Sequence, residues 1–288
     1  MLVAYPVLML RQARALARST HTGPAIAVTV ITVLLGVAVG LEPWRVVVLG
    51  VAMLFNQVSL AVSNDWIDAD RDRAAGRKDK PVASGEVSVG AVRTASWITA
   101  AAAILFTLPL GLAATAAHLV ALASGWAYNV VLKNSPLSAL PYAVSFGLLP
   151  AIASLARPDP SLPAWWAFTA GAVLGVAAHF ANVLPDLDDD RRTGIQGLPH
   201  RLGLRPSIVI TWVALLLGAV AVTIGVATGP TGIPVFAIVG LLVSLIIAVI
   251  GLVLALRRGV GRWLFRLVIA AALVDVVMLV LAGTRMLA

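Results

Sequence analysis

Ten of the chain's thirteen acidic residues fall in two loops: Asp65, Asp68, Asp70, Asp72, Asp79 and Glu86 in one, Asp186, Asp188, Asp189 and Asp190 in the other. Their spacing carries chemical information. Asn64, Asp68 and Asp72 step by four, as do Asn182, Asp186 and Asp190, so at a helical end each set lines one face. Asp65 and Asp189 lie beside these ladders, whereas Asp70 is turned away toward solvent. Two facing ladders of oxygen ligands suit two hard octahedral cations such as Mg2+, which take one or two carboxylates, keep water and complete their shell with substrate phosphate. The chain has no cysteine, which excludes disulfides, thiolate metal sites and a cysteine nucleophile. With no Walker sequence and no G-x-G-x-x-G loop, a metal-bridged diphosphate held by carboxylates is the favoured anion site.

The two loops are also copies. Shifting NDWIDADRDRAAGRKDKPVASG (64–85) by 118 residues gives eight identities in twenty-two positions. Asn64 matches Asn182, Asp68 Asp186, Asp70 Asp188, Asp72 Asp190, Arg73 Arg191, Gly76 Gly194, Pro81 Pro199 and Gly85 Gly203. Chance gives about one or two at ordinary residue frequencies. An internal repeat of about four helices is expected, with halves at roughly 20–135 and 136–260 and a ninth helix at 262–284.

The elements that must position these loops are apolar. The 288 residues are 60% hydrophobic and only 12% charged, against about 25% charged in soluble domains. A bilayer span needs roughly 20 apolar residues, and nine runs qualify: 25–41, 46–63, 91–110, 113–131, 138–156, 163–184, 206–228, 232–256 and 262–284. The expected fold is an all-α integral membrane protein, a single domain over 1–288 with a retained first span and no cleaved signal peptide. With nine spans and a cytoplasmic N-terminus, eighteen of the twenty-one Lys and Arg residues fall inside, leaving Arg45, Arg157 and Arg285 outside. That bias sets the orientation and puts both aspartate loops on the cytoplasmic side. It also accounts for the net charge of +8 through topology and anionic headgroups, without a nucleic-acid partner.

At these residues the chain resembles the UbiA superfamily of intramembrane prenyltransferases. NDWIDADRD has the form N-D-x-x-D-x-x-x-D, and DLDDD followed by RRTGIQG resembles the second D-x-x-x-D motif. KPVASG is similar to the tail of the first motif, and YNVVLK to a Tyr-then-Lys element. The resemblance covers essentially the whole chain. It implies a bundle around a central cavity, open sideways to lipid, with a polyprenyl diphosphate head between the ladders. Asn64, Asp68 and Asp72 would hold one Mg2+ and Asn182, Asp186 and Asp190 a second, with Mn2+ as a substitute. Arg77, Lys78, Lys80, Lys133 and Arg191 would take up charge on the leaving diphosphate. Tyr128 would steady the diphosphate or the allylic cation, and Asp65 would orient a basic residue or accept the acceptor's proton. The implied partners are a polyprenyl diphosphate, an aromatic or lipid acceptor, and the bilayer.

Other residues carry weaker expectations. Asp275 lies inside the last apolar run, either functional or a locally bonded structural acid. His118 is expected to be structural, and His179, just before Asn182, to line the cavity. Asn129 is placed on the face of Lys133, and Trp66 packs on substrate or on a neighbouring helix. Two other functions fit part of the pattern. A terpene cyclase would share the ionisation chemistry, and a divalent-cation or phosphate transporter would place its ligands at the midplane, where these spans offer few.

Overall fold

The computed structural model describes residues 22–77, 80–192, 194–229, 232–259 and 262–288. Lys78, Asp79, Arg11, Arg14 and Arg18 lie outside the described residues, as do the side chains of Asp188, Asp189 and Arg192. Among the described residues nine helices of sixteen residues or more follow in order: α1 Thr22–Ala38, α2 Pro43–Ile67, α3 Val89–Thr107, α4 Leu112–Val130, α5 Leu140–Leu155, α6 Trp165–Val183, α7 Leu204–Ala227, α8 Val235–Arg258 and α9 Arg262–Ala282. Their outer surface is apolar, as at Val235 (75% exposed), Ile246 and Leu112. Such a surface is unstable in water and natural in hydrocarbon.

Six segments are long and apolar enough to cross a membrane, those of α2, α3, α6, α7, α8 and α9. α1 and α5 are apolar but shorter. α4 has sufficient length, but it buries Thr115, His118 and Asn129. Of the nine spans read from apolar runs, six satisfy length and composition together among the described residues.

Small residues set the close crossing of α5 on α6. A Cβ at Gly171 would stand 2.5 Å from the Phe146 carbonyl oxygen, and one at Gly175 2.3 Å from that of Tyr142. Backbones approach this closely only where side chains are absent. The crossing brings Tyr142 of α5 against His179 of α6, their ring centroids 4.9 Å apart.

Both aspartate loops lie at one end of the bundle, joined through the α4–α5 turn. Lys133 of that turn pairs with Asp68, and the Leu198 amide donates to Ser138 Oγ at 2.8 Å. At the opposite end Arg45 donates to the Ala156 carbonyl at 2.8 Å, and the C-terminal residues bond back to Leu162 and Ala164.

Candidate active site

The first ladder survives the end of its helix. α2 stops at Ile67, Asp68 forms the cap, and a short helix Ala69–Ala74 follows. The Asp68 amide still donates to Asn64 O at 3.0 Å and that of Asp72 to Asp68 O at 2.8 Å. The four-residue register therefore continues, leaving Asp65, Asp68 and Asp72 buried. Asp70 points outward, its side chain 98% exposed and paired only with Arg73 at the surface.

Cations sit against the buried acids. Lys80 Nζ lies 2.9 Å from Asp65 Oδ1 and 3.5 Å from Asn64 Oδ1. Arg71 bonds Asp68 at 2.7 Å and reaches Asp72 at 3.5 Å, and Lys133 closes the other side of Asp68. Lys80 also stands 3.3 Å from Asp72 Oδ2, within ion-pair range. That buried oxygen nonetheless has no hydrogen-bond partner among the described residues. The two ammonium groups respond in opposite directions. Burial pulls the Lys80 pKa down, but the carboxylates of Asp65 and then Asp72 outweigh it and hold it above the ordinary lysine value. For Lys133, burial, helped by the charges of Arg71 and Lys80, outweighs Asp68 and leaves the pKa lowered.

Asn64 is oriented from α4. Asn129 Nδ2 donates to Leu60 O and Ser63 Oγ, both at 2.8 Å, and its Oδ1 receives Asn64 Nδ2 at 3.4 Å. Trp66 packs on a neighbouring helix, its Nε1 donating to Ser96 Oγ at 3.0 Å.

The second motif is built differently. Pro185 interrupts the helical path, so α6 ends at Val183, a 3-10 turn covers Leu184–Asp186, and a short helix follows at Leu187–Arg192. The second ladder thus does not ride one continuous helix. Asn182 and Asp186 are exposed, and Asp190 lies 3.2 Å from His200 Nε2. Arg191 donates through Nε to the His200 carbonyl at 3.1 Å, and Arg77 is exposed. The loops then end alike: Gly76 and Gly194 adopt φ of 69° and 85°, Gly85 and Gly203 of 79° and 87°. These left-handed positions favour glycine, which explains two pairs of repeat identities.

Tyr128 lies between the motifs, within electrostatic reach of both Asp68 and Asp190. Its ring meets that of Tyr142 edge-on, centroids 5.2 Å apart, and both rings lie against His179. Spacing gave no hint of Tyr142, Ser138 or His200, which reach the site only through the α5–α6 crossing and the loop after Asp190. His118 is a structural tie between Asn56 Nδ2 (2.8 Å) and Thr107 Oγ1 (2.6 Å). Asp275 is fully buried and accepts from Ser244 Oγ at 2.8 Å.

Behind the motifs lies a cavity of about 200 Å³ lined by α1, α5, α6, α7 and α9 residues. Asn182 is its one polar lining residue. Ile269 lines it while 43% exposed on the outer surface of the bundle. A niche of about 20 Å³ shares Phe146 and Leu149 with it and holds Asn56, Gln57 and Ser145.

No three Asp, Glu or His side chains among the described residues converge tightly enough to hold an ion unaided. The donor set still fits a hard cation: it is all oxygen, it includes buried Asp72 Oδ2, held only by the 3.3 Å ion pair to Lys80 among the described residues, and an oxygen-ligated ion takes its remaining ligands from water and phosphate.

The same fold recurs among known proteins. A 4-hydroxybenzoate octaprenyltransferase from Enterobacter sp. (strain 638) is 28% identical over 171 residues, 58% of this chain and 59% of that protein. The chain thus spans less than two thirds of that relative's length. A structure of digeranylgeranylglyceryl phosphate synthase has a TM-score of 0.74 at 12% identity, covering 95% of this chain and 98% of its own. A UbiA homologue from Archaeoglobus fulgidus bound to GPP and Mg2+ gives 0.71 at 14% identity, covering 94% and 98%. Residues 25–283 match the UbiA prenyltransferase family, and the chain belongs to it.

Proposed function

We propose that the protein transfers a prenyl group from a polyprenyl diphosphate to an aromatic or lipid acceptor within the membrane, with Mg2+ as cofactor. One observation carries this: buried Asp65, Asp68 and Asp72, with Lys80 and Lys133, share one end of the bundle with the Tyr128–Tyr142 ring pair and with Asn182, which lines an apolar cavity. The polar end matches a diphosphate and the cavity matches its tail. The Mg2+-bound relative supports the cofactor.

Asn64, Asp68 and Asp72 would hold one ion, and Asn182, Asp186 and Asp190 a second. The bound metal supplies Lewis-acid neutralisation of the diphosphate as the allylic C–O bond breaks. Lys80 and Lys133 offer N–H donors to the departing oxygens once they leave their carboxylate partners. Arg77, Arg191 and Lys78 are assigned to the same anion at its solvent side. Tyr128 presents a π-face and hydroxyl between the motifs and stabilises the cation. The apolar cavity excludes water that would otherwise quench it. A tail longer than the cavity leaves past Ile269 into lipid.

Gln57 is the acceptor-side residue. It lies seven positions before Asn64 on α2, two turns and about 10 Å deeper on the same face. Its amide nitrogen makes only long contacts, 3.4 Å to Asn56 Oδ1 and 3.7 Å to Met53 Sδ. An acceptor reacting below the diphosphate meets it with its far polar group. The hydroxybenzoate-using relative makes hydroxybenzoates the first acceptors to try.

The full topology is nine spans, with a four-helix repeat at 20–135 and 136–260 and the aspartate end cytoplasmic. The matched glycine turns support the repeat, and the basic bias supports the orientation.

The test is product mass. Purified protein in nanodiscs receives Mg2+ and geranyl diphosphate, with pooled hydroxybenzoates, naphthoates and glycerol phosphates or with none. Acceptor plus one prenyl group supports transfer. A cyclised hydrocarbon formed without acceptor replaces it with the cyclase.

A further inference from the structure

The repeat breaks down where each loop returns to the bundle. In the first loop the return is ionic: Lys80 comes back to Asp65, 2.9 Å away. At the shift of 118 residues, Lys80 becomes Leu198 and Asp65 becomes Val183, so the second loop has no such ion pair available. It uses Ser138 instead.

Ser138 is fully buried in the turn between α4 and α5. Its Oγ receives the Leu198 amide at 2.8 Å, just after the second motif. The same Oγ lies 2.9 Å from His179 Nε2, one turn before the motif begins. A single hydroxyl can accept one bond and share another, so both ends of the loop meet at one atom. Gly197 permits the approach, for a Cβ there would stand 2.6 Å from the Lys133 carbonyl and 2.9 Å from Ser138 Oγ. His179 is itself buried, its ring set edge-on to Tyr128 and tilted on Tyr142. His179 of α6 therefore reaches both Ser138 of the turn and the Tyr142 ring of α5, four residues apart.

We infer that Ser138 and His179 are positioning residues for the second aspartate motif, stapling both ends of the loop that carries Asp186 and Asp190 to the turn that carries Lys133. The inference rests on the metal–diphosphate function proposed above and adds how its second half is held. Neither residue touches substrate. Together they set the distance between the Asp186–Asp190 pair and the Lys133 turn, whereas the contacts of Asp190 and Arg191 with His200 close the loop on its own return segment.

The test uses the full chain in nanodiscs with Ser138→Ala, His179→Leu and His179→Gln. The glutamine places an amide near the position of Nε2 and is the conservative variant. Hydrogen–deuterium exchange on metal-free protein reads the staple directly. In Ser138→Ala and His179→Leu, segment 184–198 should exchange at least about tenfold faster while segment 68–85 is unchanged. A Mn2+ titration with geranyl S-thiolodiphosphate reads the consequence. Half-saturating Mn2+ should rise about tenfold or more in both variants, as for lost outer-shell partners, and return to within about threefold in His179→Gln. Faster exchange of both loops together, or a lowered melting temperature with unchanged Mn2+ dependence, overturns the positioning role and leaves a merely structural tie. Wild-type protein that takes up no Mn2+ with the diphosphate overturns the parent function, and the positioning role with it, while the exchange data still show whether the staple exists. If Ser138→Ala does not fold, the contrast between His179→Leu and His179→Gln decides the matter alone.

Discussion

Lys133 is buried against Asp68, a partner sixty-five residues earlier in the chain, and the pair ties the α4–α5 turn to the first aspartate motif. The ammonium occupies one side of a carboxylate assigned to metal. Metal and ammonium therefore compete for Asp68, and a diphosphate relieves the competition by accepting the ammonium. Lys133→Met should raise the KM for geranyl diphosphate at least about tenfold, near 1.4 kcal/mol. Arg71 still neutralises Asp68 at 2.7 Å, so melting should change less. Initial rates against diphosphate concentration, with melting in parallel, check this. An unchanged KM with a lowered melting temperature would assign the lysine to folding alone.

The ladder geometry ranks the acids. Asp68→Asn, Asp72→Asn, Asp186→Asn and Asp190→Asn each keep shape and remove one charged ligand. Loss of one such stabilisation costs about 3–4 kcal/mol, a hundred- to a thousandfold in rate. Asp70→Asn should be mild, since that side chain is 98% exposed. Turnover of the purified panel in nanodiscs decides it. An Asp70→Asn variant as inactive as the ladder variants would show the face assignment to be wrong.

Much of the first motif was legible in the sequence, and much of the second was not. Steps of four are local, and the helical register persists from Asn64 through Asp72 because no residue there breaks it. In the second loop Pro185 substitutes a 3-10 turn, and spacing alone does not report how the ladder bends there. The repeat identities at Gly76, Gly85, Gly194 and Gly203 mark backbone conformations that few other residues adopt. Tyr142 and Ser138 had no local signal. Both meet His179 some forty residues away, and only the α5–α6 crossing makes them neighbours. The apolar runs marked the helices, but α1 and α5 end sooner and α4 is more polar than the runs suggested.

That crossing makes a stability prediction. Gly175→Ala places a Cβ against the Tyr142 carbonyl, where only 2.3 Å is available. Backbone must move, and overpacking of this kind costs about 1–3 kcal/mol. Thermal melting in detergent should fall, and activity should fall with it because Tyr142 shifts. An unchanged melting temperature would mean the helices separate there at little cost.

Gln57 separates acceptor from donor recognition. Gln57→Leu keeps the volume and removes the amide, so the acceptor KM should rise about tenfold, the scale of one lost neutral hydrogen bond. The KM for geranyl diphosphate and the Mg2+ requirement should stay put. Parallel titrations of both substrates check this. Equal effects on both would place Gln57 in the bundle's packing.

On this mechanism, oxygen-held metal activates a prenyl diphosphate at the aspartate end. The most direct test is release of inorganic diphosphate from geranyl diphosphate, in the presence of an accepted acceptor, by wild-type protein in nanodiscs. Release should require Mg2+ or Mn2+, stop in excess EDTA, resume when Mg2+ is restored, and resume poorly with Zn2+, which prefers nitrogen and sulfur ligands. Undiminished release in excess EDTA would contradict the account.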